Sequence, residues 1–150
     1  MRLIGSVFLI IFFIVSTAGA GDGLISVKSS YDVKATADRL ENILKQKGMT
    51  VFIRINHAAG ARKAGQDLRP TELVVFGNPT IGTALMQCNR SVAIDLPQKA
   101  LIWQDDKEQV WLTYNDPDYL AQRHGLDACG QFINKVAEAL SNFARAATMP

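Results

Sequence analysis

Two histidines and one methionine are the residues of this chain whose types best suit metal chemistry. Imidazole nitrogen and thioether sulfur bind copper and haem iron. The same residue types also occur without a metal, because methionine fills apolar cores and a histidine near a helix end can oppose the helix dipole. The cofactor is therefore left unknown, with metal or haem as one reading, and the candidate ligands are His57, Met86 and His124.

Two carboxylates are candidates for acid–base chemistry, Glu72 and Asp95. A carboxylate that opens a buried strand can act as a general base, and a hydrolase that uses His57 with a carboxylate is the weakest functional alternative. We favour structural ion pairs for both carboxylates. The arginines available for such pairs are Arg54, Arg62, Arg69 and Arg90.

The phosphate-loop pattern fails in this sequence. Gly60 and Gly65 have the required spacing, but Gln66 and Asp67 follow where the motif needs Lys and Ser or Thr. The chain also has no Gly-x-Ser-x-Gly, His-Glu-x-x-His or Cys-x-x-Cys. No motif places a nucleophile, so the sequence favours a non-catalytic protein.

Two cysteines, Cys88 and Cys129, leave the thiol state open. An exported protein can keep a disulfide, whereas two separately buried thiols are the plain alternative. Spacing along the chain does not decide between them, because a disulfide requires Cα atoms within about 7 Å.

Residues 1–20 have the pattern of a cleavable secretory signal peptide. Arg2 precedes the uncharged stretch 3–15, and the small residues 18–20 form a cleavage site. The stretch is shorter than the ~20 residues that span a bilayer, so we expect no stable membrane anchor after cleavage. An uncleaved anchor is the alternative. The predicted location is periplasmic or secreted.

Residues 21–150 have the length of a single domain. Arg2 is the only charged residue among the first 20 of a chain with 16 basic and 14 acidic residues, so the remainder carries a net charge of +1. No basic cluster of the kind that binds nucleic acid is present. We therefore expect no nucleic-acid partner.

Apolar periodicity divides residues 21–150 into strands and helices. The predicted helices span 33–47, 79–87, 118–123 and 129–147. The predicted strands span 24–28, 50–55, 72–76, 100–103 and 109–114, and one or two helical turns are expected within 57–65. Because the strands come in adjacent pairs, the pattern predicts an α+β fold with an antiparallel or mixed sheet and helices on one face. The other face is then polar, binds a ligand or is covered by a partner.

Short motifs across residues 24–140 resemble the family called domain of unknown function 302. They are Leu68-Arg69-Pro70-Thr71-Glu72-Leu73, Phe76-Gly77-Asn78-Pro79, Ile94-Asp95-Leu96-Pro97, Val110-Trp111, Tyr114-Asn115-Asp116-Pro117 and Arg123-His124-Gly125. The resemblance implies a β-α-β4-α arrangement similar to TATA-binding-protein-like folds, and a homodimer formed through the sheet or its edge. It implies no activity, and the two cysteines are not part of the family's pattern.

The resemblance also indicates where to look for a ligand, since polar residues in loops and at strand ends suggest a site. The candidate ligand-binding residues are His57, Arg69, Glu72, Asn78, Asp95 and Asn115. Our first hypothesis is a non-catalytic periplasmic module that binds a small ligand or cofactor. The alternative is a dimeric structural or interaction protein, in which these residues serve the fold and the interface.

Overall fold

Five antiparallel strands form one sheet in the computed structural model of the protein, which describes residues 23–150. The predicted signal peptide lies outside the described residues. The strands are β1 (Leu24–Lys28), β2 (Thr50–Asn56), β3 (Thr71–Gly77), β4 (Gln98–Gln104) and β5 (Val110–Asn115). They lie in the order β1-β5-β4-β3-β2. The predicted α+β class is confirmed, and of the two sheet types left open the antiparallel one is found.

Five helices accompany the sheet within residues 23–150. They are α1 (Val33–Gln46), α2 (His57–Lys63), α3 (Pro79–Cys88), α4 (Pro117–His124) and α5 (Gly130–Thr148), with short 3₁₀ turns at Arg90–Ile94 and Asp127–Cys129. No helix within residues 23–150 is both long and apolar enough to cross a membrane.

The first helix begins and ends where its sequence requires. The Asp32 side chain accepts a hydrogen bond of 2.7 Å from the Ala35 amide, which satisfies a donor that the first helical turn leaves free. Gly48 follows the helix with φ +72°, the left-handed conformation that ends many helices. Between these ends, Leu40 and Leu44 recur at helical spacing and are fully buried.

The main core lies between one face of the sheet and the helices α1 and α5. Val74 and Phe76 of β3, Ile102 of β4 and Leu112 of β5 point to this face and are almost completely buried. Phe143 of α5 meets the Phe76 ring edge to face at 6.5 Å. The expectation that helices cover one face is therefore confirmed.

The opposite face of the sheet carries apolar side chains that are only half-buried. Ile55, Leu73 and Leu101 are register partners across three adjacent strands. Trp103 and Trp111 pair directly across β4 and β5 on the same face. Of the three expectations for this face, a purely polar surface is therefore wrong.

A β-bulge interrupts the pairing of β2 with β3. Val51 lies opposite Phe76 and Ile53 lies opposite Val75, so Phe52 is an extra residue in β2. A bulge shifts the alternation of side chains by one position. Val51 and Arg54 consequently both lie on the face of the sheet that the helices cover.

Candidate functional site

An apolar cavity of about 410 Å³ lies at one end of the sheet. Three chain segments form its floor, the start of β2 with Met49, the end of β3 with Phe76, and the start of β4 with Leu96 and Pro97. Helices α3 and α5 form its walls. The wall residues are Ile81, Leu85 and Met86 of α3, and Val136, Ala139, Leu140 and Phe143 of α5.

The bulge in β2 places a large aromatic ring at the cavity. Phe52 lines the cavity although it is 53% exposed. Its ring lies beside Gly77, where an added Cβ atom would stand 3.4 Å from the ring and 3.6 Å from the Cβ of Pro97. Because Gly77 has no side chain, the Phe52 ring has space to lie beside it.

Gln98 is the buried polar side chain of the cavity. It is 9% exposed and opens β4 on the face that the helices cover. No hydrogen bond of its side-chain amide is found within residues 23–150, and since no fully buried side-chain N or O atom there lacks a partner, the amide atoms are open to the cavity that Gln98 lines. The amide is thus a donor and acceptor available to a bound molecule.

Three further polar side chains border the cavity. Asn78 uses its carbonyl oxygen to cap α3, accepting a bond of 2.9 Å from the Thr80 amide. Lys135 is exposed, with its amine 6.0 Å from the centre of the Phe132 ring. Thr83 is exposed on α3. An apolar cavity with a few placed polar groups is the usual form of a small-molecule site, and such sites measure roughly 300–1,000 Å³.

Glu72 is engaged in an ion-pair cluster and not in the cavity. Its carboxylate accepts hydrogen bonds from Arg54 and, at 3.0 Å, from Asn56. Arg54 also donates to Asp38 of α1 at 2.5 Å. Structural pairing was favoured for this carboxylate, and it is confirmed, with Arg54 as the arginine.

The cluster shifts the ionisation of its members. Burial alone lowers the pKa of the Arg54 guanidinium, but its hydrogen bonds with Asp38 and Glu72 outweigh burial and raise that pKa above its ordinary value. Hydrogen bonds from Arg54 and Lys34 lower the pKa of the Asp38 carboxyl. The charges of Arg54 and Asp38 are therefore stabilised at neutral pH.

Asp95 pairs with the other histidine of the chain. His124 Nε2 lies 2.6 Å from Asp95 Oδ2, and Arg123 lies 3.5 Å from the same oxygen. Asp95 thus also has basic partners, His124 and Arg123. The hydrolase alternative instead requires His57 beside a carboxylate. No hydrogen bond joins His57 to Glu72 or Asp95 in the described part of the chain.

The remaining candidates lie in separate settings. His57 is exposed at the first residue of α2. Arg69 forms an exposed ion pair with Asp106 at 3.2 Å. Asn115 ends β5 opposite Leu24. Of the six predicted ligand-binding residues, only Asn78 lines the cavity.

The three candidate metal ligands have different neighbours. Met86 lines the apolar cavity, whereas both ring nitrogens of His124 have hydrogen-bond partners in Ser91 and Asp95. Among residues 23–150, no group of three or more His, Cys, Asp and Glu side chains is placed to hold a metal ion.

Cys88 and Cys129 form a disulfide, with Cα atoms 6.4 Å apart. It joins the end of α3 to the 3₁₀ turn before α5. The α3 wall of the cavity is therefore covalently linked to the segment that leads into the α5 wall.

The cavity residues that sequence reasoning missed include Gln98 and Phe52. A signal for Gln98 was present, because Gln98, Ala100 and Ile102 alternate along one strand face, which makes Gln98 a polar residue at an inward position. Phe52 gave no such signal, since strict alternation places it on the face opposite to Val51.

Curated relatives match part of the chain. Proteins named fluoride-specific ion channel FluC 1, from Brucella suis and Brucella abortus, are 52% identical over 104 residues, which is 69% of this chain. The chain spans about two fifths of their length, 41% and 38%. Their name describes those whole proteins.

A solved structure has the same fold. The crystal structure of an uncharacterized conserved DUF302 protein from Bacillus stearothermophilus superposes with a TM-score of 0.76 at 20% sequence identity, covering 85% of this chain and 99% of that one. The family model described as domain of unknown function DUF302 matches residues 25–146, a stretch that contains all of the sheet except Leu24, together with the cavity walls and the disulfide. The chain belongs to the DUF302 family.

Proposed function

We propose that the protein is a periplasmic module that binds, without catalysis in the binding cavity, a small, largely apolar molecule between α3, α5 and the end of the sheet. The buried amide of Gln98 carries this proposal. The Gln98 side chain is 9% exposed, so a hydrogen bond between its amide and a ligand's polar group would form largely away from bulk water, where such a bond is strong.

The cavity favours a particular ligand class. Its walls are aliphatic and aromatic, so the body of the ligand is apolar. Gln98 offers one donor and one acceptor inside, and Lys135 offers a positive charge on α5. We therefore expect an apolar molecule with one hydrogen-bonding group, and with an acidic group if it reaches Lys135.

The predicted signal peptide supports the periplasmic part of the proposal. The disulfide between Cys88 and Cys129 is consistent with it, because disulfides persist in oxidising compartments. Cell fractionation followed by mass spectrometry of the mature N-terminus checks this location, and an intact residue 1 in the cytoplasm would contradict it.

The binding proposal is tested with a fluorescent apolar probe, N-phenyl-1-naphthylamine. In the wild type we expect saturable binding with a fluorescence increase. Ala139→Trp fills the cavity and should abolish that binding. Ala146→Trp is the matched control, because Ala146 is exposed on the same helix. Equal binding by both variants and the wild type would overturn the proposal.

A second variant tests the role of the buried amide. Gln98→Leu keeps the volume of the side chain and removes its hydrogen-bonding atoms. We expect probes with a hydroxyl or carboxyl group, such as 1-naphthol, to bind about 10-fold more weakly, the worth of one hydrogen bond. The affinity for N-phenyl-1-naphthylamine should change less. Equal losses for both probes would show that Gln98 does not act as the polar contact.

The half-buried apolar face of the sheet supports a second candidate, a homodimer in which this face packs on that of another copy. Sheets that pack face to face bury such rows between them, and a two-fold interface joins the same patch on both subunits. Leu101 and Trp111 lie within this patch on β4 and β5.

The dimer is tested by analytical ultracentrifugation. Leu101→Glu should convert a dimer to a monomer, since it places a charge in the interface. Ile94→Glu is the control, because Ile94 is 76% exposed and lies outside the sheet. A monomeric wild type, or a dimer that survives Leu101→Glu, would contradict this second candidate.

A further inference from the structure

A chain of three side chains outside the cavity has the connectivity of an activated nucleophile. Ser91 Oγ lies 2.9 Å from His124 Nδ1, and His124 Nε2 lies 2.6 Å from Asp95 Oδ2. The side chains of His124 and Asp95 are 5% and 14% exposed, whereas Ser91 is an exposed residue. The base and its partner are thus shielded from water while the hydroxyl-bearing residue is accessible.

The carboxylate determines the tautomer of the imidazole. An ionised Asp95 only accepts hydrogen bonds, so Nε2 of His124 must carry the proton that it donates. In the neutral ring the other nitrogen, Nδ1, is then an acceptor, and it accepts the hydroxyl proton of Ser91. This is the arrangement in which a histidine can remove a proton from a serine.

The three residues are held by a rigid frame. The disulfide of Cys88 and Cys129 fixes the chain just before Ser91. The Asn89 side chain then links Ser91 to His124. Its Nδ2 donates to the backbone carbonyl of His124 at 2.7 Å, and its Oδ1 accepts from the backbone amide of Ser91 at 3.0 Å. Preorganised geometry of this kind is what nucleophilic catalysis needs.

Space for a substrate lies next to the segment that carries Ser91. An open groove is lined by residues that precede and follow Ser91 in the sequence, including Asn89, Arg90 and Ala93, but not by Ser91 itself. Arg90 has no ion pair in the described part of the chain, so its charge is available to a substrate oxygen. Thr83, Met86 and Ala93 line this groove and the apolar cavity as well.

We propose that Ser91 is a nucleophile that takes the acyl group of carboxylic esters, with His124 as its general base and Asp95 as the positioning residue. Ser91 Oγ forms a bond to the carbonyl carbon, and its proton passes to His124 Nδ1. The ester C–O bond then breaks, and His124 returns the proton to the leaving alcohol. Water, deprotonated by the same nitrogen, hydrolyses the acyl-serine and restores the free hydroxyl.

The proposal rests on this hydrogen-bonded chain and not on ligand binding in the cavity, and the two fail independently. An acetyl ester is too small to need the cavity, so 4-nitrophenyl acetate tests Ser91 alone. Loss of naphthylamine binding in Ala139→Trp bears on the cavity alone, and loss of acetate hydrolysis in Ser91→Ala bears on the three hydrogen-bonded side chains alone.

The experiment combines covalent labelling with kinetics on the purified oxidised protein. A fluorophosphonate probe should form one adduct per chain, located at Ser91 by peptide mass spectrometry. Ser91→Ala should lose the adduct and at least about 100-fold in hydrolysis rate, the usual contribution of general-base catalysis. Ser141→Ala removes another exposed serine and should change neither.

Asp95→Asn separates positioning from folding. In a variant whose circular dichroism is that of the wild type, labelling of Ser91 should slow about 10-fold or more. With 4-nitrophenyl acetate the same variant should lose kcat while KM stays unchanged, a split that a merely structural role of Asp95 would not produce. No adduct at Ser91 in the folded wild type, or hydrolysis that survives Ser91→Ala, would overturn the proposal. The three hydrogen-bonded side chains would then be only a structural link between the 3₁₀ turn and α4.

Discussion

Arg54 on β2 and Glu72 on β3 form a buried ion pair on the face of the sheet that α1 covers. The Glu72 side chain is 9% exposed and that of Arg54 is 23% exposed. Glu72 therefore depends on Arg54 and on the Asn56 amide for its charge to be tolerated. Removing one partner of a buried pair leaves an uncompensated charge, which costs more than the pair itself contributes.

The first prediction concerns this pair. Arg54→Met should lower the free energy of unfolding by about 3 kcal/mol, the low end of the range for broken buried pairs, since Arg54 keeps some contact with water. Urea unfolding measures the loss. Lys34→Met is the control, because Lys34 pairs with Asp38 on the surface and its removal should cost far less stability. Similar losses in both variants would contradict the buried character of the pair.

The second prediction is a pH dependence that originates in Asp38. Hydrogen bonds from Arg54 and Lys34 lower the pKa of this carboxyl in the folded state. The stability that the Asp38 carboxylate gives the fold is therefore fully present above its pKa in the unfolded state, near 4. That stability is lost as the pH falls through its lower pKa in the folded state. Urea unfolding between pH 2 and pH 6 should show a smaller loss of stability with acid in Asp38→Asn than in the wild type. Parallel curves would exclude Asp38 as a source of the acid sensitivity.

The third prediction concerns the disulfide. Cys88 and Cys129 are 41 residues apart, and a loop of that length corresponds to about 4 kcal/mol of stabilisation on the loop-entropy model. The double variant Cys88→Ser with Cys129→Ser should lose about that amount. Dithiothreitol should destabilise the wild type by a similar amount and leave the double variant unchanged. A wild type insensitive to the reductant, with its thiols shown to be free, would contradict this prediction.

Much of the fold follows from local patterns in the sequence. The predicted helices end within one residue of the observed ones, because caps such as Asp32 and Gly48 mark helix ends chemically. The start of β4 was placed two residues late. Gln98 and Lys99 have little strand propensity of their own, and they are extended because they pair with Phe76 and Val75 of β3.

The site was less accessible to sequence reasoning because it depends on one bulge. Strict alternation from Val51 places Arg54 on the open face of the sheet, away from Glu72. The extra residue Phe52 reverses that assignment, so Arg54 lies opposite Val74 and reaches Glu72. The same bulge brings Phe52 to the cavity. The sequence offered four arginines for the carboxylates and had no means of choosing among them.

The last prediction concerns the contact between Gly23 and Tyr119, where β1 meets α4. Gly23 has φ +74°, and an added Cβ atom would lie 2.5 Å from Cγ of the Tyr119 ring. Gly23→Ala should therefore incur two costs, about 1 kcal/mol for the left-handed backbone and another 1 to 3 kcal/mol for overlap with the ring. Thermal and urea unfolding measure the sum.

Gly48 provides the matched control for this substitution. Its φ is +72°, and nothing lies within 4 Å of an added Cβ atom, so Gly48→Ala should incur only the backbone cost. Tyr119→Ala in the Gly23→Ala background should then recover the overlap cost and leave a backbone cost similar to that of Gly48→Ala. Equal destabilisation by the two single glycine variants would show that the Tyr119 ring moves aside freely, and that its packing does not hold α4 against the start of β1.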